Sequence, residues 1–440
     1  MKESIGIFIF IMIIVNTVPI AGHLTNNVIF KDIDEIIPTT NINKWMKSFG
    51  GNKDDFGSSV QQTSDGGYII VGITESFGEG SNDYWLIKTD SNGIKIWDKT
   101  YGGENNDDAN FGCQTNDGGY IIVGRTNSFD VYKNDIWLIK TDNLGNMIWD
   151  KTFGGNGYET ASEVLQTTDN SYVVFGYTDS FGIGNRDMWL IKIDSDGNIL
   201  WNKTYGGSND DQGYSIKQTI DGGYILAGVT FTSEYTNKFD IWLIKTDNSG
   251  EIIWDKTYGG SEDDNAKSIQ QTTDGGYIIC GETYIDGINK CDILLLKTDS
   301  NGELLWEKIF GSYFDDRGWS VQQTTDGGYI IAGDTFTGPN VDGLLIKTDN
   351  NGDTEWSKTY GGFHTDITVH VQQTNDGGYI LTGYDQPGMF KYRDCWLIKT
   401  DENGNVPTSR KYERLNSSLF YRLIDLFPAL RIIIQRFRLL

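Results

Sequence analysis

Gln270–Ile279 reads QQTTDGGYII, a polar approach to an aspartate, two glycines, then a tyrosine opening an apolar run. The stretch returns as QQTSDGGYII from Gln61, QQTTDGGYII from Gln322 and QQTNDGGYIL from Gln372, with looser copies CQTNDGGY, LQTTDNSY and KQTIDGGY between them. Its tyrosines, Tyr68, Tyr120, Tyr172, Tyr224, Tyr277, Tyr329 and Tyr379, are spaced by 52, 52, 52, 53, 52 and 50 residues. A fixed period of that size marks one supersecondary unit per repeat. One repeat array can therefore occupy a length of 440 residues that would otherwise suggest several domains.

Each unit holds four short segments rich in β-branched and aromatic residues, of the kind SIQQT, GGYIICG, DIWLIKTD and GEIIWDKTYGG, separated by Asp/Asn/Gly turns. These are strands. T-x-D-G-G joins the first two and T-D-x-x-G the last two, with glycine accepting the positive φ of a tight hairpin. The unit is thus an antiparallel meander. Ile241, Trp242, Leu243 and Ile244 run in succession, so both faces of the middle strands are apolar, as a small sheet between two neighbouring sheets requires. Sheets stacked that way around an axis form a β-propeller. The segment W-x-K-(T/S)-(Y/F)-G-G, with variants, begins at Trp45, Trp97, Trp149, Trp201, Trp254, Trp306 and Trp356; one copy precedes the first signature and none follows Asp401. The expectation is an all-β, seven-bladed propeller of four-stranded antiparallel blades over residues 43–405, closed by an N-terminal outer strand.

The chain resembles exported archaeal and bacterial β-propellers built from Q-Q-T-x-D-G-G-Y-I-I-x-G-x-T units. More loosely, D-x-W-L-I-K-T-D-x-x-G-x-x-x-W is similar to the blade repeats of quinoprotein (PQQ) dehydrogenase-like propellers. The resemblance covers about Asn43 to Asn405 and implies a fold rather than an activity, since propellers host many functions. Quinoprotein dehydrogenases carry an adjacent Cys-Cys pair beside the cofactor. Here Cys113, Cys280, Cys291 and Cys395 are scattered, so no cofactor is expected.

The ends differ from the middle. MKESIGIFIFIMIIVNTVPIAGH places Lys2 before an apolar run from Ile5 to Val15 and small residues at Ala21 and Gly22, which is signal-peptide grammar over residues 1–22, followed by a linker over 23–42. The expected location is secreted or cell-surface. Net charge is −25, which argues against nucleic-acid binding, because phosphate contacts need a basic surface. Residues 406–440 instead hold seven Lys/Arg against two Asp/Glu, with Leu419, Leu423, Phe427, Leu430, Ile434 and Phe437 at helical spacing. This reads as a basic amphipathic helix able to meet an anionic membrane surface or a partner. Cys280 and Cys291 flank one expected hairpin loop and could cross-link there; four separate thiols is the other reading.

In a pseudo-symmetric ring, a residue present in every blade is first a packing or turn residue. The signature aspartates (Asp65, Asp117, Asp169, Asp221, Asp274, Asp326, Asp376) and those of the K-x-D turn (Asp90, Asp142, Asp194, Asp247, Asp299, Asp349, Asp401) suit local capping of backbone N–H groups. Asp194-Ser195-Asp196-Gly197 also resembles the start of a calcium loop, without the closing glutamate. The recurring lysines, from Lys88 to Lys399, read as partners in intrablade ion pairs. Six residues before the glutamine pair stands an acidic column: Asp55, Asp107, Glu159, Asp211, Asp264, Asp316 and Asp366. It could form a ring that concentrates cations or clamps a basic ligand, or cap blade junctions. Symmetry breaks two residues before the pair, where Ser59, Ser215, Ser268 and Ser320 give way to Phe111, Glu163 and His370. His364, Asp366 and His370 share one junction and raise the question of a metal. Loops between the second and third strands vary and carry Phe77, Phe129, Tyr132, Tyr235 and Tyr392, which is material for binding.

No G-x-S-x-G elbow, H-E-x-x-H or phosphate loop occurs. The expected function is a non-catalytic binding or adhesion scaffold for an extracellular protein or glycan ligand. The alternative is an extracellular propeller enzyme or a lectin-like protein, Q-T-x-D-G-G-Y being faintly similar to the sugar motif of bulb-type lectins.

Overall fold

The computed structural model describes residues 44–407, apart from 130–132, 234–237, 286–289, 339 and 389–390. The signal segment 1–22, the linker 23–42, all but the first two residues of the 406–440 tail, and Tyr132 and Tyr235 lie outside the described residues.

Twenty-eight strands, numbered β1 to β28 in chain order, form seven four-stranded antiparallel sheets. In the first blade β2 (Asp55–Gln62), β3 (Tyr68–Thr74), β4 (Asp83–Thr89) and β5 (Lys95–Tyr101) lie side by side in chain order. Five more sheets repeat that order. The seventh instead runs β1 (Trp45–Phe49), β28 (Asp394–Lys399), β27 (Tyr379–Asp385), β26 (Ile367–Gln373). Trp45 stands opposite Lys399 and Phe49 opposite Cys395. The first and last strands of the array therefore share a blade, as the phase of the W-x-K segments predicts.

The signature builds the first hairpin of each blade. Asp65 Oδ1 accepts bonds from the Thr63 hydroxyl (2.6 Å) and the Gly67 N–H (2.9 Å). Gly66 takes φ 81°, and in the third blade Asn170 stands there at φ 63°, asparagine being among the residues that best tolerate that region. From β4, the buried Lys88 ammonium reaches Asp65 (2.9 Å) and donates to the Thr89 carbonyl (2.9 Å). The same ion pair recurs as Lys140–Asp117, Lys192–Asp169, Lys245–Asp221, Lys297–Asp274, Lys347–Asp326 and Lys399–Asp376, at 2.8 to 3.0 Å. Burial opposes ionisation, but the bonds from Thr63, Lys88 and the Gly67 N–H outweigh it and hold the Asp65 carboxyl at about 2.

The second hairpin is equally uniform. Asp90 Oδ1 accepts from the N–H groups of Asn92 and Ile94, and the equivalent two bonds occur at all six other K-x-D aspartates. Asp194 is thus a turn residue like its counterparts. The second glutamine of each pair binds the neighbouring blade: Gln114 Oε1 accepts the Ser64 N–H (2.9 Å), and the relation continues around the ring to Gln62, which accepts from Asn375.

The core lies between blades. One cluster joins Ile121 and Val123 of the second blade to Val164 and Val174 of the third, and comparable clusters fill the other gaps. Each outer-strand tryptophan meets the signature tyrosine of the next blade edge to face, from Trp45–Tyr68 at 5.6 Å to Trp356–Tyr379 at 5.9 Å. Toward the axis the sheets crowd: Gly57 faces Gly72, and Ala109 faces Gly124, with a bulge in the inner strand just beyond. A Cβ at Gly72 would strike the Phe56 carbonyl, which explains the small residues of these columns.

Candidate functional site: the axis of the ring

The acidic column sits where each blade begins. Asp55, Asp107, Glu159, Asp211, Asp264 and Asp316 open the inner strands β2, β6 (Asp107–Gln114), β10 (Glu159–Gln166), β14 (Asp211–Gln218), β18 (Asp264–Gln271) and β22 (Asp316–Gln323), and Asp366 immediately precedes β26. None is more than 6% exposed. Each accepts the N–H four residues upstream, on Gly51, Gly103, Gly155, Gly207, Gly260, Ser312 and Gly362. Thr74, Thr126 and Thr178 hydroxyls bind the other oxygen of the first three. Of the two roles open to this column, capping of the junctions is the one the geometry displays, and none of the seven lines the axial cavity.

A second acidic column, unremarked in the sequence, faces the first. It is the aspartate at or within two residues of the start of the third strand of the preceding blade, and Gly102 lies against both Asp83 and Asp107. Burial, then the Asp107 charge, raises Asp83 to about 7; burial and Glu159 raise Asp135 to about 6. A like charge so close opposes ionisation of Asp83 and Asp135.

The residues that break symmetry do converge. A cavity of about 170 Å³ on the axis is lined from all seven inner strands and includes Phe111, Glu163 and His370. The Phe111 and His370 rings meet edge to face at 5.9 Å. His370 Nδ1 accepts the Val60 N–H (3.4 Å), so a neutral ring carries its proton on Nε2. Burial, then the nearby Lys217 ammonium, pushes His370 down to about 4. Glu163 accepts from the Ser215 hydroxyl (2.8 Å), the Ile216 N–H (2.9 Å) and Lys217 Nζ. Lys217 went unnoticed in the sequence, although it occupies the first-glutamine position of its repeat and so breaks the signature itself.

One residue along the inner strands from this cavity, toward the end that adjoins the variable loops, begins a second single-copy set. Lys267 lies 4.5 Å from the Tyr214 ring centre and 5.6 Å from that of Trp319. Arg317 stands over Phe336 at 5.1 Å, Arg186 over Tyr177 at 5.3 Å, and Arg393 between Phe56 and Tyr384. Glu282 pairs with Lys267 (3.7 Å), and the Trp319 indole donates to Asp334 Oδ1 (2.5 Å). Asp334 is fully buried, its Oδ2 has no partner, and burial raises it to about 6. All cation–π contacts among the described residues lie at this end. No motif announces them: Tyr214, Lys267 and Trp319 stand about one repeat apart and meet where successive blades stack, while Arg317–Phe336, Lys267–Glu282 and Trp319–Asp334 pair within a blade. Of the loop aromatics, Phe77 and Phe129 cover Trp85 and Trp137 at 5.5 and 4.8 Å, and Tyr392 is exposed.

Two other expectations meet the geometry. Cys280 lies opposite Leu295 and Cys291 opposite Tyr284, so the register separates the two thiols along the hairpin and all four cysteines are free. His370 faces the axial cavity while Asp366 caps its junction through Gly362 and Gln386. Among the described residues no group of three His, Cys, Asp or Glu side chains is placed to hold a metal.

No family model matches the chain. It is 25% identical over 169 residues, 35% of its length, to the regulatory protein FlaEY of Caulobacter vibrioides, and it spans only 17% of that protein. Among solved structures it is similar to the Pan2 WD40 domain of Neurospora crassa (TM-score 0.49, 10% identity, 81% of this chain and 98% of that one). It is also similar to Sqt1 of Chaetomium thermophilum (0.48, 9%, 81% and 99%) and to the β-propeller domain of the Trilobed protease of Pyrococcus furiosus (0.47, 10%, 82% and 99%). By its own seven sheets and their closure through β1, the chain is a seven-bladed β-propeller.

Proposed function

We propose that the chain is a non-catalytic binding scaffold of the cell exterior, recognising a segment of an extracellular protein at the aromatic mouth of its channel. The observation that carries this reading is the gathering of Tyr177, Tyr214, Lys267, Arg317, Trp319 and Tyr384 on the loop side of the axial cavity. Tyr, Trp and Arg dominate the energetics of protein interfaces, and none of these residues is required by the repeat. The signal grammar of residues 1–22 and the resemblance to exported propellers support an exterior location. The basic 406–440 tail supports contact with an anionic membrane surface or a partner.

The reading is tested by cross-linking the purified chain to surface proteins of its native cell, in parallel with a Tyr214→Ala/Trp319→Ala variant whose strand content is checked by circular dichroism. A partner captured by the parent and at least ~10-fold less by the variant is the expected result, two hot-spot aromatics being worth that much or more. Equal capture overturns the mouth as the site. A glycan-array signal lost in the same variant, with no protein captured, replaces the protein ligand by a sugar.

A further inference from the structure

The axial cavity lies on the hairpin side of the aromatic set, one residue along the inner strands from it, and its polarity is one-sided. Gln61, Gln270, Gln322 and Gln372 line it. In each, Oε1 is already taken by a backbone N–H of the next blade: Gln114 (2.7 Å), Gln323 (2.5 Å), Gln373 (2.6 Å) and Gln62 (2.7 Å) respectively. A carboxamide whose oxygen must accept has its orientation fixed, and its NH₂ is left with two donors. Among the described residues none of the four Nε2 atoms has a hydrogen-bond partner, and none is a buried unsatisfied atom, so they face the open cavity. His370, with Nδ1 accepting from Val60, offers Nε2–H to the same space. Lys217 adds an ammonium, on a side chain that is 37% exposed. The only carboxylate lining the cavity is Glu163, and its oxygens are occupied by Ser215, Ile216 and Lys217.

We infer that this cavity is a binding site for a small oxyanion, a carboxylate, phosphate or sulfate group, held by the carboxamide nitrogens of Gln61, Gln270, Gln322 and Gln372 together with Lys217 and His370. Neutral N–H donors converging on a low-dielectric pocket bind an anion without bringing a matching excess of charge. Glu163 pins Lys217 in place, and Phe111 closes one wall against the His370 ring. The four glutamines hold the ring together with their oxygens and present the ligand with their nitrogens, so one side chain serves packing and recognition at once. This site shares no residue with the proposed mouth.

The test is calorimetric titration of the full chain with sodium phosphate, sodium sulfate and sodium acetate separately, at constant ionic strength, repeated on Gln322→Glu, Gln372→Glu and Lys217→Met. A glutamate keeps an oxygen for the Gln373 or Gln62 N–H but replaces the NH₂ donor by a negative oxygen. Saturable binding of one or more of the three anions is expected, weakened by ~10-fold or more in each variant, a factor corresponding to about 1.4 kcal/mol. The order of the three affinities distinguishes a carboxylate site from a phosphate or sulfate site. Absence of saturable binding of all three overturns the inference, as does binding that Gln322→Glu and Lys217→Met leave unchanged. Should one variant unfold, Gln372→Glu on the adjacent blade gives the same reading, and side-chain amide NMR of the parent reports directly whether glutamine Nε2 resonances move on adding anion.

Discussion

Two lysine–carboxylate pairs in this molecule look alike and behave differently. Lys297–Asp274 is one of seven copies, its ammonium buried and donating also to the Thr298 carbonyl at the hairpin. Lys217–Glu163 occurs once, spans neighbouring blades, and stands beside an axial cavity with its ammonium part exposed. A charge repeated around the ring answers a need that every blade has, so its partner is supplied within the blade. A charge that appears once answers no such need, and its setting is where recognition is to be looked for.

That contrast can be broken in three places. The largest effect is expected on removing residues 1–49: blade seven would be left with β28 as an exposed edge, ready to pair with another chain. Thermal melts with light scattering should show early, aggregating unfolding, and a truncated chain that melts as cooperatively as the parent would show that closure is not what secures the framework. Next, Lys297→Ala should cost about 2 kcal/mol by urea denaturation, for the loss of a charged hydrogen-bond donor at an otherwise buried site, discounted because Asp274 is largely exposed. Phosphate affinity should not change. An unaltered midpoint, or a lost affinity, would blur the division between repeated and single-copy charge.

The smallest effect sharpens it. Asp334 is a single-copy carboxyl raised by burial from 3.8 to about 6. A carboxyl with a raised folded value favours the fold below its unfolded value, and that advantage is lost as pH climbs from about 4 through 6. Asp334→Asn, which keeps an oxygen for the Trp319 indole, should therefore stabilise the chain by about 1 kcal/mol at pH 8 and leave it unchanged at pH 4. Equal melting temperatures at pH 8 would remove the mouth's strain from the account.

The framework was open to a reader of the sequence because it is periodic. Seven tyrosines fixed the blade count, and the phase of Trp45 against Asp401 fixed the closure. The ion pairs at Lys88 and its counterparts, and the turns at Asp90 and its counterparts, followed from residue type and spacing. Phe111, Glu163 and His370 could be singled out because each interrupts an otherwise serine column, and they do share one cavity. Lys267, Trp319 and Asp334 could not, because each occupies a column that varies from blade to blade, and no recurring pattern marks Trp319 as the partner of Asp334 or Lys267 as the neighbour of Tyr214 in the adjacent blade. The pairing of Asp83 with Asp107 stayed hidden because it joins the third strand of one blade to the first of the next. Of the two readings of Cys280 and Cys291, separate thiols is the one the register bears out, because flanking a loop does not place two residues opposite one another.

The bond between Lys44 and Asp401 joins residues 357 positions apart. A contact that remote cannot form until nearly the whole ring has left the ribosome, and folding slows as such contacts become obligatory. Until then the growing chain is a stack of blades whose last sheet lacks its outer strand, so the joint that completes the seventh blade is also the last event of its assembly. The time spent waiting for it is the period in which the chain is most easily trapped, cut or swapped with a neighbour.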